Sequence, residues 1–452
     1  MNPEEQLAWP KQRISDLRDA ESHAPAGGAR TSKKRSPGAV EPQTGHGAPA
    51  EETAVRSDHQ RRTTQVLTQY VPQEPRWATR VIRTTADFAD TREAWSALLA
   101  EAVDANVFMS HEWLFAWWTA YQPDAELAIV VVEDGGRVRG IAPLMIQTVA
   151  RGGIRARWLR FIGDGTGETD HINLLTPVSG RAQVLQALLR AIAAIDWDVA
   201  EFNQLPEASA NTQDLLRWIE GSGLQCTVSS SPCPIRRLPA SHEALLSSLP
   251  SRLRTSLRSS TRKLREGHSL EFGRHQDPEE LDGALRTFFE NHESRWQGKG
   301  KPGAFSNPRR QRFYEQLTPR LLERGWLRFF FLKLDGRPVA QQYCFALDGT
   351  VMLLQEGFDF SRAQDNVGNV LRSLVFEHLI QSGAVCYDFL AGSSRHKQSW
   401  SDGTVNDLQI RCARGSLRGW LFFSVPLLID RFKDRLRPWR DRLFASRAKS
   451  VG

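Results

Sequence analysis

The chain has 452 residues, 25% of them charged and 40% apolar. It is too long for one ordinary core, and its composition excludes a fibrous or wholly disordered chain. The net charge of +7 is uneven: residues 1–75 balance ten basic against ten acidic side chains, whereas residues 411–452 carry eleven bases against three acids.

Residues 1–75 are rich in Ala, Gly, Ser, Thr, Pro and charge, with too little apolar surface to offset ordering entropy, so a disordered tail is expected. It has no secretory apolar region, and no apolar run in the chain is long enough to span a bilayer. Order is expected from Trp77. Helical spacing covers Asp87–Val103 and His111–Tyr121, the latter heavily aromatic through Trp113, Phe115, Trp117 and Trp118. The strands LAIVVVED and VRGIAPLMI flank the turn Asp134-Gly135-Gly136-Arg137. WLRFIG and HINLL read as strands, Arg181–Ile195 as a helix and WDVAEFNQL as a strand. Ser229–Pro239, with its serines and prolines, reads as a linker.

The second half repeats this plan. Ser251–Arg265 carries six bases and no acid, and four of them align on one helical face, suiting a solvated surface or an anionic partner. Leu281–Arg295 and Pro308–Glu323 are expected helices. LRFFFLKL, the turn Asp335-Gly336-Arg337-Pro338, VAQQYCFAL, the turn Asp348-Gly349 and TVMLLQEGFDF form two hairpins. A helix over Asn369–Gln381 and a strand over Val385–Leu390 follow. The recurring turns argue for two copies of one α/β fold over residues 76–235 and 236–420. Beyond them, residues 421–452 read as a basic amphipathic helix, with Leu428, Phe432 and Leu436 at helical spacing among Arg431, Lys433, Arg435 and Arg437. That helix suits either an anionic membrane face or the protein's own core.

Two features bear on chemistry directly. Arg362–Asn369 leads into the Asn369–Gln381 helix, whose first N–H groups and positive dipole end face outward. Gly368 would let an anion approach the backbone closely and Arg362 could pair with it; an ordinary cap by Asp365 or Asn366 is the alternative. His171 follows Glu168 and Asp170, but no second cluster supports a metal. The five cysteines (Cys226, Cys233, Cys344, Cys386, Cys412) show no ligand spacing, so no metal and a reduced cytoplasmic setting are expected.

The ordered elements FFENHESRW (288–296), LDGRPVA (334–340), EGFDFSRAQDNVGNVL (356–371) and YDFLAGSSRHKQSW (387–400) resemble the GNAT acyltransferases. The closest resemblance is to the CelD-type, FemABX-related family of tandem GNAT-like domains. Two departures stand out: relatives often have Ser-Pro-Gly at Asn366-Val367-Gly368, and Tyr at His396. The resemblance implies an α/β (α+β) fold of two tandem GNAT-like domains, each a mixed, mainly antiparallel sheet flanked by helices. It implies acyl transfer from acetyl-CoA or another acyl-CoA to an amine or hydroxyl, with an amino sugar, polysaccharide or envelope precursor as acceptor and nucleic acid disfavoured. The donor would sit on Arg362, Asn366, Val367, Gly368 and Asn369. Glu356 would be the general base, since strand alternation places it with Met352 and Leu354, or else a salt-bridged strand-end carboxylate. Asp388 would hold the acceptor or cap a turn. His292 and Trp296, one helical turn apart, together with Gln355, Lys397 and Trp400, would line the acceptor or anion side. An aminoacyl-tRNA-dependent transferase and a non-catalytic accessory protein are the alternatives.

Overall fold

The computed structural model describes residues 77–297, 303–392 and 394–425. The expected tail lies outside these residues, as does the C-terminal helix from residue 426 onward.

The first half begins with β1 (Ala78–Ile82), followed by α1 (Thr85–Asp90), α2 (Arg92–Leu99) and α3 (His111–Tyr121). The Thr84 and Ser110 side chains accept from Asp87 N and Trp113 N, which caps α1 and α3. Next come β2 (Ala125–Leu127), β3 (Ile129–Asp134), β4 (Arg137–Ala142), β5 (Leu144–Arg151) and β6 (Ile154–Phe161). α4 (Arg181–Ala194), β7 (Val199–Pro206), α5 (Ala210–Gly221) and β8 (Gln225–Arg237) complete it.

The second half opens with α6 (His242–Ser248) and the basic α7 (Ser251–Gly267), then β9 (Leu270–Arg274), α8 (Leu281–Gln297) and α9 (Pro308–Glu323). The meander β10 (Leu327–Leu334), β11 (Arg337–Leu347) and β12 (Thr350–Phe358) feeds α10 (Val367–Gln381), β13 (Cys386–Asp388), α11 (Arg395–Trp400) and β14 (Gly403–Ala413). The hairpins close where the sequence places them. Asp335 and Gly336 have φ of 51° and 78°, and Asp348 and Gly349 have 48° and 77°. Two consecutive positive φ values are the requirement of a tight hairpin turn, which Asp-Gly meets at low steric cost.

β1-β3-β4 form a small sheet, and the other strands form one sheet in the order β2-β5-β6-β7-β14-β8-β13-β12-β11-β10-β9. Each half contributes one parallel pair joined by a helix, β6/β7 across α4 and β12/β13 across α10; all other neighbours are antiparallel. The last strands are exchanged: β14 lies against β7, and β8 lies against β13. This exchange corrects two sequence readings. The expected linker Ser229–Pro239 is mostly β8, which pairs along Gln225–Ile235 with β14. HINLL is not a strand and makes one isolated bridge, Ile141↔Leu175.

The halves also meet through their helices. Trp113 of α3 packs against Phe313 of α9 at 5.2 Å, and Thr119 Oγ1 donates to Gln316 Oε1 at 2.6 Å. Behind β12 lies an apolar core of Val351, Leu353, Val370, Leu371, Val375, Phe376, Tyr387 and Trp400. Truncating a fully buried ring such as Phe376 would cost about 3–5 kcal/mol.

Candidate active site

β12 and β13 run together only over Thr350–Met352 and Cys386–Asp388. Beyond that, β12 continues to Phe358, while the chain after Asp388 turns onto β8 through Phe389 N→Pro234 O (3.0 Å) and Gly392 N→Pro232 O (3.2 Å). The two strands therefore part, and α10 starts beside the gap.

The start of α10 is unusual. Its N-cap, Asn366, has φ 60° and makes no side-chain cap bond to the helix backbone. Asn366 Nδ2 instead reaches Ser256 and Ser260 of α7 at 3.3 and 3.4 Å, and its Oδ1 accepts from Asn369 Nδ2 at 2.7 Å. Arg362 is held between Asp365 (3.1 Å) and His268 (3.4 Å). A Cβ built on Gly368 would meet only Phe358 Cδ1, at 3.8 Å. Neither backbone conformation nor internal packing demands glycine there. The open space suits close approach by an anion to helix N–H groups.

Glu356 lies on the α10 side of β12, where it pairs with fully buried Arg372; its Oε1 is 3.5 Å from His396 Nε2. Gln342 Nε2 reaches Glu356 Oε2 at 3.5 Å, and Arg372 also donates to His396. Simple alternation fails here. Tyr343 pairs with Gln355 and Cys344 with Leu353, so Leu354 is a bulge. The bulge reverses the pleat, placing Glu356 with Val351 and Leu353 rather than Met352. Gln355 shares the face of its partner Tyr343, toward α8 and α9.

Asp388 is 6% exposed. Its Oδ1 accepts from Leu390 N at 2.7 Å and its Oδ2 faces His171 Nε2 at 3.0 Å. His171 Nδ1 meets Asp407 Oδ1 at 2.8 Å, and His171 N donates to Asp407 Oδ2 at 3.2 Å. Burial opposes charge on this ring, but hydrogen bonds to Asp388 and Asp407 hold its pKa well above the usual histidine value. The ring lies between two carboxylates that favour its charged form, and it joins the first half to β13 and β14. His171, Gln204 and Leu390 all have positive φ (46°, 57° and 58°), so backbone strain collects around this cluster. Only with the His171 ring neutral could His171, Cys233 and Asp407 together hold a metal, their ligand atoms lying within 4.8 Å of one another.

Lys397 Nζ donates to Leu390 O (3.2 Å) and Ala391 O (2.7 Å), and burial lowers its pKa despite Asp170, Cys233, Asp388 and Glu356 nearby. The structure thus brings Glu356, Asp388 and Lys397 to one region, at the parting of β12 and β13. Two expectations are corrected. Trp400 is fully buried against Phe376 and Arg372 and donates to Asn369 Oδ1 (3.0 Å), so it fixes α11 on α10 instead of lining a substrate surface. His292 is 5% exposed and set edge-on to Phe305 at 5.0 Å, so it belongs to the aromatic core. The Trp296 side chain lies outside the description.

Sequence reasoning missed Arg372, Asp407 and the partners of His171. Arg372 alone left a trace, as a cation on the apolar face of a predicted helix.

The profile of the Acetyltransferase (GNAT) domain matches residues 251–398. No curated protein matches the chain. Among solved structures, FemX is similar at 12% identity over 74% of this chain and 96% of that one, with a TM-score of 0.50. A conserved protein from Bacteroides thetaiotaomicron VPI-5482 has 14% identity over 74% and 100% of the two chains and a TM-score of 0.49. A tandem GNAT protein from the clavulanic acid biosynthesis pathway has 14% identity over 75% and 100%, with a TM-score of 0.40. The strand order, the parting of β12 from β13 and the domain match lead to one conclusion: this chain has a GNAT fold, and its overall structure is similar to that of FemX.

Proposed function

We propose that the protein transfers an acyl group from a coenzyme A thioester to an amine or hydroxyl on an amino sugar, polysaccharide or other cell-envelope precursor. The observation that carries this reading is the start of α10, open over Gly368 and placed where β12 and β13 part. In this reading the donor's pyrophosphate sits on the backbone of Val367 and Gly368, flanked by Arg362, Asn366 and Asn369. The thioester then lies in the gap between the strands.

Glu356 accepts the proton that the acceptor loses as its nitrogen or oxygen bonds to the thioester carbon. The carbon–sulfur bond breaks, and the coenzyme A sulfur leaves and is protonated. A positioned base contributes about 10²–10⁴-fold, and alignment of the two reactants supplies much of the rest. Buried Arg372 fixes the direction of Glu356. Asp388, with both oxygens engaged, acts by holding His171 and the 388–392 turn instead of abstracting a proton. Lys397, at the same turn, faces the anionic side of donor or acceptor. Any membrane contact would come from residues 421–452; among the described residues no helix is long and apolar enough to cross a membrane.

One observation favours a second reading, an aminoacyl-tRNA donor. Arg258, Arg262 and Arg265 of α7 line a groove of about 580 Å³ with His242 and Ser373 and two acids, Glu266 and Glu377, and no ion pair holds these arginines among the described residues. Unpaired arginines suit a polyanion. Calorimetric titration with acetyl-CoA, a long-chain acyl-CoA and an aminoacyl-tRNA separates the two. Saturable thioester binding is expected. Binding of the tRNA alone would transfer the chain to the second reading, and binding of none would overturn both.

A further inference from the structure

Cys226 and Cys412 are far apart in sequence and carry no shared motif. The strand exchange places them directly opposite each other on β8 and β14, as one register pair of an antiparallel ladder. Directly opposed residues in such a ladder have Cα atoms about 4.5–5.5 Å apart, inside the roughly 4.4–6.8 Å range of disulfides. Their side chains share a face of the sheet, with the sulfurs 3.7 Å apart. Cys412 is 1% exposed, whereas Cys226 is only partly buried. Cys233, Cys344 and Cys386 have no sulfur partner among the described residues.

We infer that Cys226 and Cys412 form a thiol-oxidation site, closed to an intramolecular disulfide by exchange with a small disulfide of the glutathione type. Cys226, the accessible thiol, loses its proton and attacks one sulfur of the small disulfide, releasing one thiol and leaving a mixed disulfide. Cys412 then loses its proton and attacks Cys226 Sγ, releasing the second thiol. Two electrons and two protons leave the protein, and one disulfide is reduced to two thiols. The hydrogen bond with Cys226, followed by burial, raises the pKa of the Cys412 thiol, which accords with Cys412 acting second and as the resolving group. The bond would tie the last strand of one half to the last strand of the other. Asp407 lies farther along the same ladder, opposite Ser231. The bond would therefore stiffen the strand that supplies Asp407 to the His171 cluster.

The test uses the full chain incubated with oxidised glutathione, alkylated and digested without reductant, and read by mass spectrometry. The expected product is a peptide pair joining Cys226 to Cys412, two hydrogens lighter than the free peptides. It should accompany a rise in unfolding temperature that dithiothreitol reverses. Cys412→Ser should stop at a glutathione adduct on Cys226, and Cys226→Ser should give neither product. A wild-type chain that stops at the adduct, links other cysteines or keeps both thiols alkylatable would overturn the inference.

Discussion

Each half leads from a strand to a helix that starts at a positive-φ residue, and the two connections are used differently. In the first, residues 162–180 separate β6 from α4 and fold inward: Glu168, His171, Asn173 and Thr176 along them are buried. Fully buried Glu168 is bound by Tyr121, Tyr314 and Arg310, which commits this connection to joining the halves. In the second half only residues 359–366 separate β12 from α10. Both helix starts are open, since a Cβ on Gly180 would meet nothing within 4 Å and one on Gly368 only Phe358; what differs is that α10 starts where β12 and β13 part. Both helices begin at a residue with positive φ and no side-chain cap bond, Gly180 and Asn366. The proposal of a donor site at α10 rests on the surroundings, not on the turn itself.

Several experiments can break or sharpen this contrast. The largest effect belongs to the second half. Glu356→Gln should lower kcat by about 10²–10⁴-fold with donor affinity unchanged, as read by steady-state kinetics beside calorimetry. An unaltered kcat would remove Glu356 as the base.

Arg372→Met should lower unfolding free energy by about 3 kcal/mol in a urea titration, because Glu356 would lose its buried partner. A loss under about 0.5 kcal/mol would show that the pair is not held in solution.

The first half should announce itself through pH. The His171 pKa is raised in the folded state, so its contribution is fully present below the unfolded value of about 6.5. It is lost as pH rises through the higher folded value. Between the two, the stability difference between wild type and His171→Asn should shrink by about 1.4 kcal/mol per pH unit. A difference constant across that window would contradict the imidazolium.

Much of the fold was legible because its signals are local. The Asp-Gly turns need consecutive positive φ, and His111–Tyr121 and Pro308–Glu323 begin behind Ser110 and Asn307 caps and form helices over those bounds. The strand exchange was not legible, because it depends on pairing between Gln225–Ile235 and Gly403–Ala413. The serines and prolines of β8 suggested a linker, yet Pro232 and Pro234 use their carbonyls to receive the 389–392 turn. The face of Glu356 was misread because one bulged residue inverts a period of two. The charged cluster was invisible because His171, Asp388 and Asp407 come from three separated segments.

The central claim is that the start of α10, and not that of α4, binds the donor. The direct measurement is calorimetric titration of acetyl-CoA into wild type, Gly368→Trp and Gly180→Trp. Wild type should bind saturably. Gly368→Trp should fold normally but lose at least about 1.4 kcal/mol of binding, a tenfold weaker Kd. Gly180→Trp, strained by its φ of 74°, should cost about 1–2 kcal/mol of stability while leaving affinity intact. Equal binding by wild type and Gly368→Trp, or loss of binding through Gly180→Trp alone, would contradict the claim.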